Sequence, residues 1–381
     1  MHDFLLKEIK NTNIENELEQ IGFDKSYRNK ASDKFIYKNF KIFNLTPAQA
    51  NILKQTALTV GADCGTHSQV ITGKIEYSNC ILGGSISQIH KIAKKLQEQP
   101  FRLKLLGQIL ENNTSNSSST TKKTKIMGIL NVTTNSFSDG GEFYKFEDSI
   151  EHLHQLIDDG ADIIDIGAES TKPYSSAINA KEQLEKLTPI LKYVQENNIA
   201  TPISIDTRSA EVAKQCINLG AKIINDVSGF GYDPEMVNVI AQNPQVQIIL
   251  QHSQGTPETM QNNPHYKNLM DEIFINLKNK VEFAISNGIV KDNIIIDPGI
   301  GFGKTKEHNF EILKRWQELK SIGCPVLIGL SRKSLLNMQE AQNSEKDMYS
   351  LALSTPLFTE NLDIIRVHNV KIHKCLQSIL S

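Results

Sequence analysis

The chain has 381 residues, 39% of them hydrophobic and 22% charged, with a formal net charge of −2. That near-neutral balance argues against nucleic acid or an anionic membrane surface as the main partner, and no apolar run approaches the ~18 residues that a membrane span needs. The N-terminus (MHDFLLKEIKNTNIENELEQ) lacks the apolar core of a secretory signal. The five cysteines (Cys64, Cys80, Cys216, Cys324, Cys375) are scattered with no C-x-x-C pair, which fits reduced thiols in a cytoplasmic protein.

In chain order, Thr46-Pro47 opens a helical pattern that runs to Gly61, with Thr46 as N-cap and Pro47 at the first helical position. Cys80-Ile81-Leu82 reads as a short strand, and Ser85–Glu98 as an amphipathic helix with basic residues in its later turns. Residues 1–110 are therefore expected to form a small α+β domain, to which no role is assigned. Cys64 and His67 lie close together but lack the further spaced partners of a metal site, so they read as ordinary core and loop residues. Residues 111–124 (ENNTSNSSSTTKKT) contain no apolar residue. Such a tract buries too little surface to offset its ordering entropy, which predicts a flexible linker.

Residues 125–381 alternate strands and helices. Apolar strand candidates lie at 125–133, 161–168, 202–207, 223–229, 246–252, 293–300, 325–331 and 363–370, with helical patterns such as Phe146–Asp159 and Ser209–Leu219 between them. Gly160 and Gly220 stand just past these two helices, where a left-handed C-cap is favoured. Alternation of this kind implies a parallel sheet with right-handed crossovers. Eight units in a domain of about 250 residues match a closed (β/α)8 TIM barrel. A doubly wound open sheet is the rival, but no G-x-G-x-x-G follows the first strand.

The strand ends are polar throughout: Asn131, Glu169-Ser170-Thr171, Asp206-Thr207-Arg208, Asn225-Asp226, Gln251-His252, Asp297-Pro298-Gly299, Ser331-Arg332-Lys333-Ser334 and Arg366-Val367-His368. A barrel gathers all of these on its C-terminal rim, where catalytic groups of the fold sit. Singly, each reads equally well as a helix cap or turn. Together they make a site, because buried polar groups need partners. Two chemistries are expected to separate on that rim. Asp206, Asn225 and Asp297 are acceptors suited to a flat heterocycle with amide-like and amino donors, and Asp297 suits a guanidine-like edge. Asn131, Thr171, Lys172, Arg366 and His368 form a donor-rich corner suited to phosphate oxygens, with Asn131 a candidate metal ligand. Lys333 is placed to reach either group.

Seven segments in order, MGILNVTTNSFSDGG (127–141), GADIIDIGAESTKP (160–173), ISIDT (203–207), IINDVSG (223–229), IIIDPGIGFGK (294–304), GLSRKS (329–334) and RVH (366–368), resemble the dihydropteroate synthases over essentially all of 125–381. The resemblance implies a (β/α)8 barrel that joins 6-hydroxymethyl-7,8-dihydropterin pyrophosphate to 4-aminobenzoate in folate biosynthesis. It further implies that Asp206, Asn225, Asp297 and Lys333 hold the pterin. Asn131, Thr171, Arg366 and His368 would hold the pyrophosphate, with Mg²⁺ near Asn131. Pro173, Phe302 and Ser334 would border the aminobenzoate, and Asp139 and Lys172 would order the loops around the reaction. A homodimer is implied as well.

The chain departs from the family pattern at Thr134-Asn135, Ala168, Lys172-Pro173-Tyr174, Gln251-His252-Ser253, Leu335 and Asn369. Lys172 replaces a planar bidentate arginine with a point charge. Two alternatives stand beside the synthase: a non-catalytic pterin-binding paralogue, which the loop departures allow, and a corrinoid-dependent pterin methyltransferase domain. The latter shares the Asp/Asn trio but is expected to lack the lysine of SRKS and the Arg366-Val367-His368 corner.

Overall fold

Thr46 accepts the backbone N–H of Gln49, and the Gln49 side chain accepts that of Thr46. This reciprocal cap, with Pro47 in the first turn, starts the helix Pro47–Leu58 where the sequence predicts it. Ser85 and Gln88 repeat the device at the helix Ile86–Leu96. The structure is a computed structural model that describes residues 4–10, 14–115, 123–132, 146–169, 178–255, 260, 263–333 and 342–380. It divides into two units, 1–120 and 121–381.

In the first unit, strands β1 (Tyr37–Leu45), β2 (Asp63–Gly65) and β3 (Ser78–Ser85) form an antiparallel sheet in the order β1-β3-β2. Its core joins Leu82 of the sheet to Leu53, Ile89, Ile92 and Leu96 of the helices. Cys64 is buried in that core, and the His67 ring accepts the Gln69 N–H, so both behave as ordinary core and loop residues. The polar tract is not all linker. The helix Leu103–Ser115 carries its first five residues, and buried Thr114 donates to the Leu110 carbonyl one turn back. The apolar stripe Leu103-Leu106-Leu110 carries the helix past the last apolar residue. At the other end Thr124 is already buried. Residues 116–122 lie outside the described set.

Among the described residues the second unit holds eight parallel strands: β4 (Lys125–Asn131), β5 (Ile163–Gly167), β6 (Ile203–Asp206), β7 (Ile223–Asp226), β8 (Gln247–Gln251), β9 (Ile294–Asp297), β10 (Leu327–Gly329) and β11 (Ile364–Val367). Each falls inside a predicted strand. Their order is β10-β11-β4-β5-β6-β7-β8-β9, and the Ile296 N–H donates to Pro325 O beside a parallel bridge from Ile296 to Val326, which closes the barrel. Gly160 and Gly220 follow their helices with φ of 89° and 97°.

Period-two alternation divides seven of the eight strands between two cores, while β6 sets Ser204 and Asp206 opposite its outward Ile203 and Ile205. Ile126, Ile164, Ile205, Ile224, Ile248, Ile296, Ile328 and Ile365 face outward into the helix layer, with Leu153, Leu187, Leu277 and Trp316. Met127, Ile163, Ile223, Ile249, Ile295, Leu327 and Ile364 form a separate cluster inside the barrel. Gly128 leaves no spare volume in the outer layer, since a Cβ there would lie 2.9 Å from Val370 Cγ2 and 3.0 Å from Leu156 Cδ2. Gly128→Leu is therefore expected to destabilise the protein by roughly 1–3 kcal/mol through overpacking. The check is urea unfolding, with the midpoint lowered and the slope kept.

Candidate active site

The site lies on the same strand faces as the inner apolar cluster, two residues further along. Asp165 follows Ile163, Asn225 follows Ile223, Gln251 follows Ile249, Asp297 follows Ile295, and Arg366 follows Ile364. Chain direction thus converts a dry plug into a polar floor within one pleat. Charges buried so deeply must be paired.

Arg366 does the pairing. Its Nε donates to Asp165 Oδ2 at 2.6 Å and its Nη2 to Asp206 Oδ2 at 2.9 Å. Asn225 Nδ2 donates to the same Asp165 Oδ2 at 3.1 Å. Asp297 accepts the Gly299 N–H at 2.7 Å. Lys333 Nζ donates to Ile300 O at 2.5 Å and lies 4.7 Å from the centre of the Phe302 ring. Among the described residues, Asp165 Oδ1, Asp206 Oδ1, Asn225 Oδ1 and Ser204 Oγ are buried side-chain atoms of this floor without a hydrogen-bond partner. Such orphaned acceptors mark a place for a ligand rich in donors.

The titrations follow from burial. Burial pushes Asp206 up to about 7, against the pull of Arg366 and with help from the negative charges of Asp165 and Glu169. Burial also raises Asp297, opposed by Lys333 and by the Gly299 N–H. It lowers Lys333 to about 8. His368 is lowered to about 3 by burial and by the nearby cations Arg332 and Arg366, so its imidazole is neutral. The His368 Nδ1 lies 3.0 Å from Ser331 Oγ, and a tautomer that accepts there carries its proton on Nε2 as a donor.

The structure brings together Asp206, Asn225, Asp297, Lys333 and Arg366 from the predicted set. Asn131 joins them, because Asn131 Oδ1 and Asp206 Cβ lie 3.7 and 3.5 Å from where a Cβ on Gly167 would stand. Phe302 lies beneath Lys333. Asp139, Thr171, Lys172, Pro173 and Ser334 fall outside the described residues. The expected separation of donors from acceptors is not clean: Arg366, grouped with the phosphate corner, also sits among the carboxylates, because two buried acids need a cation between them.

Sequence reasoning missed Asp165, the buried Lys304 and the half-buried Lys280. Asp165 lies inside the apolar run Ile163–Gly167 rather than at its end, and a lone acid within such a run was the available signal. Lys304 Nζ donates to Phe302 O at 2.9 Å and lies 3.0 Å from His252 Nδ1. Lys280, from the helix Leu269–Ser286, donates to Gln251 O at 2.6 Å and Ser228 O at 3.1 Å. The loop carrying Phe302 sits tightly on the end of β8. Gly299 has φ 70°, and a Cβ there would fall 1.9 Å from His252 O. Gly303 has φ 63°, and its Cβ would fall 2.6 Å from Gln254 O. Both positions require glycine.

The family model described as pterin binding enzyme matches residues 127–368, which takes in every strand end described above. The chain belongs to the dihydropteroate synthase family. A dihydropteroate synthase of Synechocystis is 41% identical over 252 residues, covering 66% of this chain and 86% of the relative. The dihydropteroate synthase structure from Clostridium difficile solved in the presence of pteroic acid is 38% identical, with a TM-score of 0.62, and the match covers 68% of this chain and 96% of that one. A protein of Haloferax volcanii described as a probable bifunctional folylpolyglutamate synthase/dihydropteroate synthase is 32% identical over 344 residues. That match covers 84% of this chain, more than the second unit alone, and 40% of the relative. Part of the first unit is therefore shared with the archaeal protein. As a member of the dihydropteroate synthase family, the chain is a transferase.

Arg366 supplies the test of this floor. Arg366→Met strands Asp165 and Asp206 without their cation and is expected to cost roughly 3–5 kcal/mol near neutral pH. Asp206, already raised by burial and opposed in this by Arg366, then binds its proton more tightly folded than unfolded, so stability falls as pH rises. The deficit in urea unfolding is expected to be smaller at about pH 5 than at about pH 8.

Proposed function

We propose that the barrel condenses 6-hydroxymethyl-7,8-dihydropterin pyrophosphate with 4-aminobenzoate, releasing 7,8-dihydropteroate and pyrophosphate. One observation carries the reading: buried, unpartnered acceptors on Asp206 and Asn225 share a floor with Arg366 and Lys333. A pterin offers ring N–H and amino donors to such acceptors. A charge-assisted hydrogen bond is worth about 1.5–3 kcal/mol, so a few of them orient the ring. The family relationship supports the same assignment.

In this reading Asp206, Asn225, Asp297 and Lys333 hold the pterin. Asn131, Thr171, Arg366 and the Nε2–H of neutral His368 meet the pyrophosphate. Phe302, Pro173 and Ser334 border the aminobenzoate, and Asp139 and Lys172 order the surrounding loops. Cleavage of the C–O bond sends its electron pair to the pyrophosphate and leaves a pterin-stabilised cation at the exocyclic methylene. The arylamine nitrogen then attacks that carbon and gives up a proton. Arg366 and His368 stabilise the departing charge, while the Asp297 carboxylate stabilises the electron-poor ring. No enzyme nucleophile forms a bond to the substrate.

Mg²⁺ belongs to the proposal too. Among the described residues no group of three or more His, Cys, Asp or Glu side chains could hold a metal. The amide oxygen of Asn131 fits a hard cation that takes its remaining ligands from water and phosphate. Bound there, the ion would neutralise charge on the leaving group. We also propose a cytoplasmic homodimer. Among the described residues no helix is long and apolar enough to cross a membrane.

Three outcomes are expected. Purified protein given the pterin pyrophosphate, Mg²⁺ and labelled 4-aminobenzoate should form labelled pteroate, and Lys333→Ala should lower kcat/KM by about a hundredfold or more. Labelled product no greater than in that variant would overturn the reading. Affinity for 6-hydroxymethylpterin, measured by calorimetry, should fall as pH drops below about 7, because protonated Asp206 loses an acceptor for ligand donors; Asp206→Asn should flatten this limb. Finally, the two units have separate hydrophobic cores and every proposed site residue lies in the second. A 122–381 chain is therefore expected to fold and retain synthase activity, read by circular dichroism and the same assay.

A further inference from the structure

Asp165 is fully buried, and one of its oxygens serves two neighbours. Its Oδ2 accepts from Arg366 Nε at 2.6 Å and from Asn225 Nδ2 at 3.1 Å. A primary amide has a donor end and an acceptor end, and the donor end of Asn225 is committed to Asp165. Its acceptor end, Oδ1, is left buried and unpartnered. Arg366 is fixed in the same way. With Nε on Asp165, its Nη2 meets Asp206 Oδ2 at 2.9 Å, which leaves Asp206 Oδ1 unpartnered.

We propose that Asp165 is the positioning residue of the pterin pocket: it sets the amide orientation of Asn225 and the guanidinium plane of Arg366, so that the floor presents two acceptors together. The pocket then selects a heterocycle with adjacent donors and disfavours one that presents an acceptor at that edge. Without Asp165, the Asn225 amide is free to turn. The Arg366 Nε then needs another acceptor, and Asn225 Oδ1 is within the same cluster. The acceptor meant for the ligand would be consumed inside the protein. This inference deepens the proposed function and rests on it.

The test uses the full chain and 6-hydroxymethylpterin as calorimetric probe, with steady-state kinetics for both substrates. Asp165→Ala is expected to weaken pterin binding by about tenfold to a hundredfold, while KM for 4-aminobenzoate stays within about twofold, since neither partner of Asp165 borders that substrate. The pair exchange Asp165→Asn with Asn225→Asp restores one carboxylate facing one amide, with a carboxylate oxygen free for the ligand. It is expected to bind the probe more tightly than either single variant. A general structural role would not give that recovery. If Asp165→Ala does not fold, Asp165→Asn is read in its place, because it matches the shape and keeps an acceptor for both donors; several-fold weaker binding is expected. Wild-type protein that fails to bind the probe overturns the proposed function and this inference with it. Wild-type binding that Asp165→Ala or Asp165→Asn leaves unchanged overturns the inference alone. So does equal weakening toward both substrates, or a pair exchange no better than the worse single variant.

Discussion

The site depends on one guanidinium held between two carboxylates on the barrel floor. Arg366 on the last strand reaches Asp165 on the second and Asp206 on the third, counted along the barrel sequence. Ion pairs taken out of water seldom add net stability, because desolvation offsets most of the attraction. Their effect here is geometric. The cation makes it tolerable to keep two acids and an amide together on the floor, each with a buried acceptor atom that has no partner among the described residues. Removing the acids would leave a drier, more stable barrel with nothing to grip a polar ring.

The rest of the barrel supports that arrangement by repetition. Seven of the eight strands send an isoleucine, leucine or methionine into the plug and, on most of these, a polar residue two positions later onto the floor. The apolar layer excludes water from below, which strengthens every interaction above it. The same exclusion raises Asp206 and Asp297 and lowers Lys333. Affinity and proton binding are thus coupled through a single cause, the depth of the floor.

Much of this was legible in the chain. Caps at Thr46 and Ser85 and the alternation of apolar runs depend on neighbours within a few residues, so pattern reveals them. The strand-end residues Asp206, Asn225, Asp297, Lys333 and Arg366 were found because each closes an apolar run. Asp165 was not, because it lies within one, and its partner Arg366 is 201 residues away. No local pattern reports such a pairing. For the same reason the place of Arg366 on the last strand points to a phosphate corner but does not reveal that it is also the counter-ion of the floor. The helix end at 111–115 was misread for a simpler cause: polar residues on the exposed side of a helix look like linker when the buried stripe lies just upstream.

The loop beside the floor has a different kind of constraint. Gly299 and Gly303 bring it against the carbonyls of His252 and Gln254, and Lys304 ties it down by the carbonyl of Phe302. Side chains hold the same segment by its backbone: Lys333 donates to Ile300 O, Tyr266 to Gly303 O, and the Gly301 N–H donates to Asn309 Oδ1. Backbone contacts thus fix where residue 302 stands, while its side chain decides what Lys333 rests on: an aliphatic group at 302 would keep the frame and lose the ring beneath that cation.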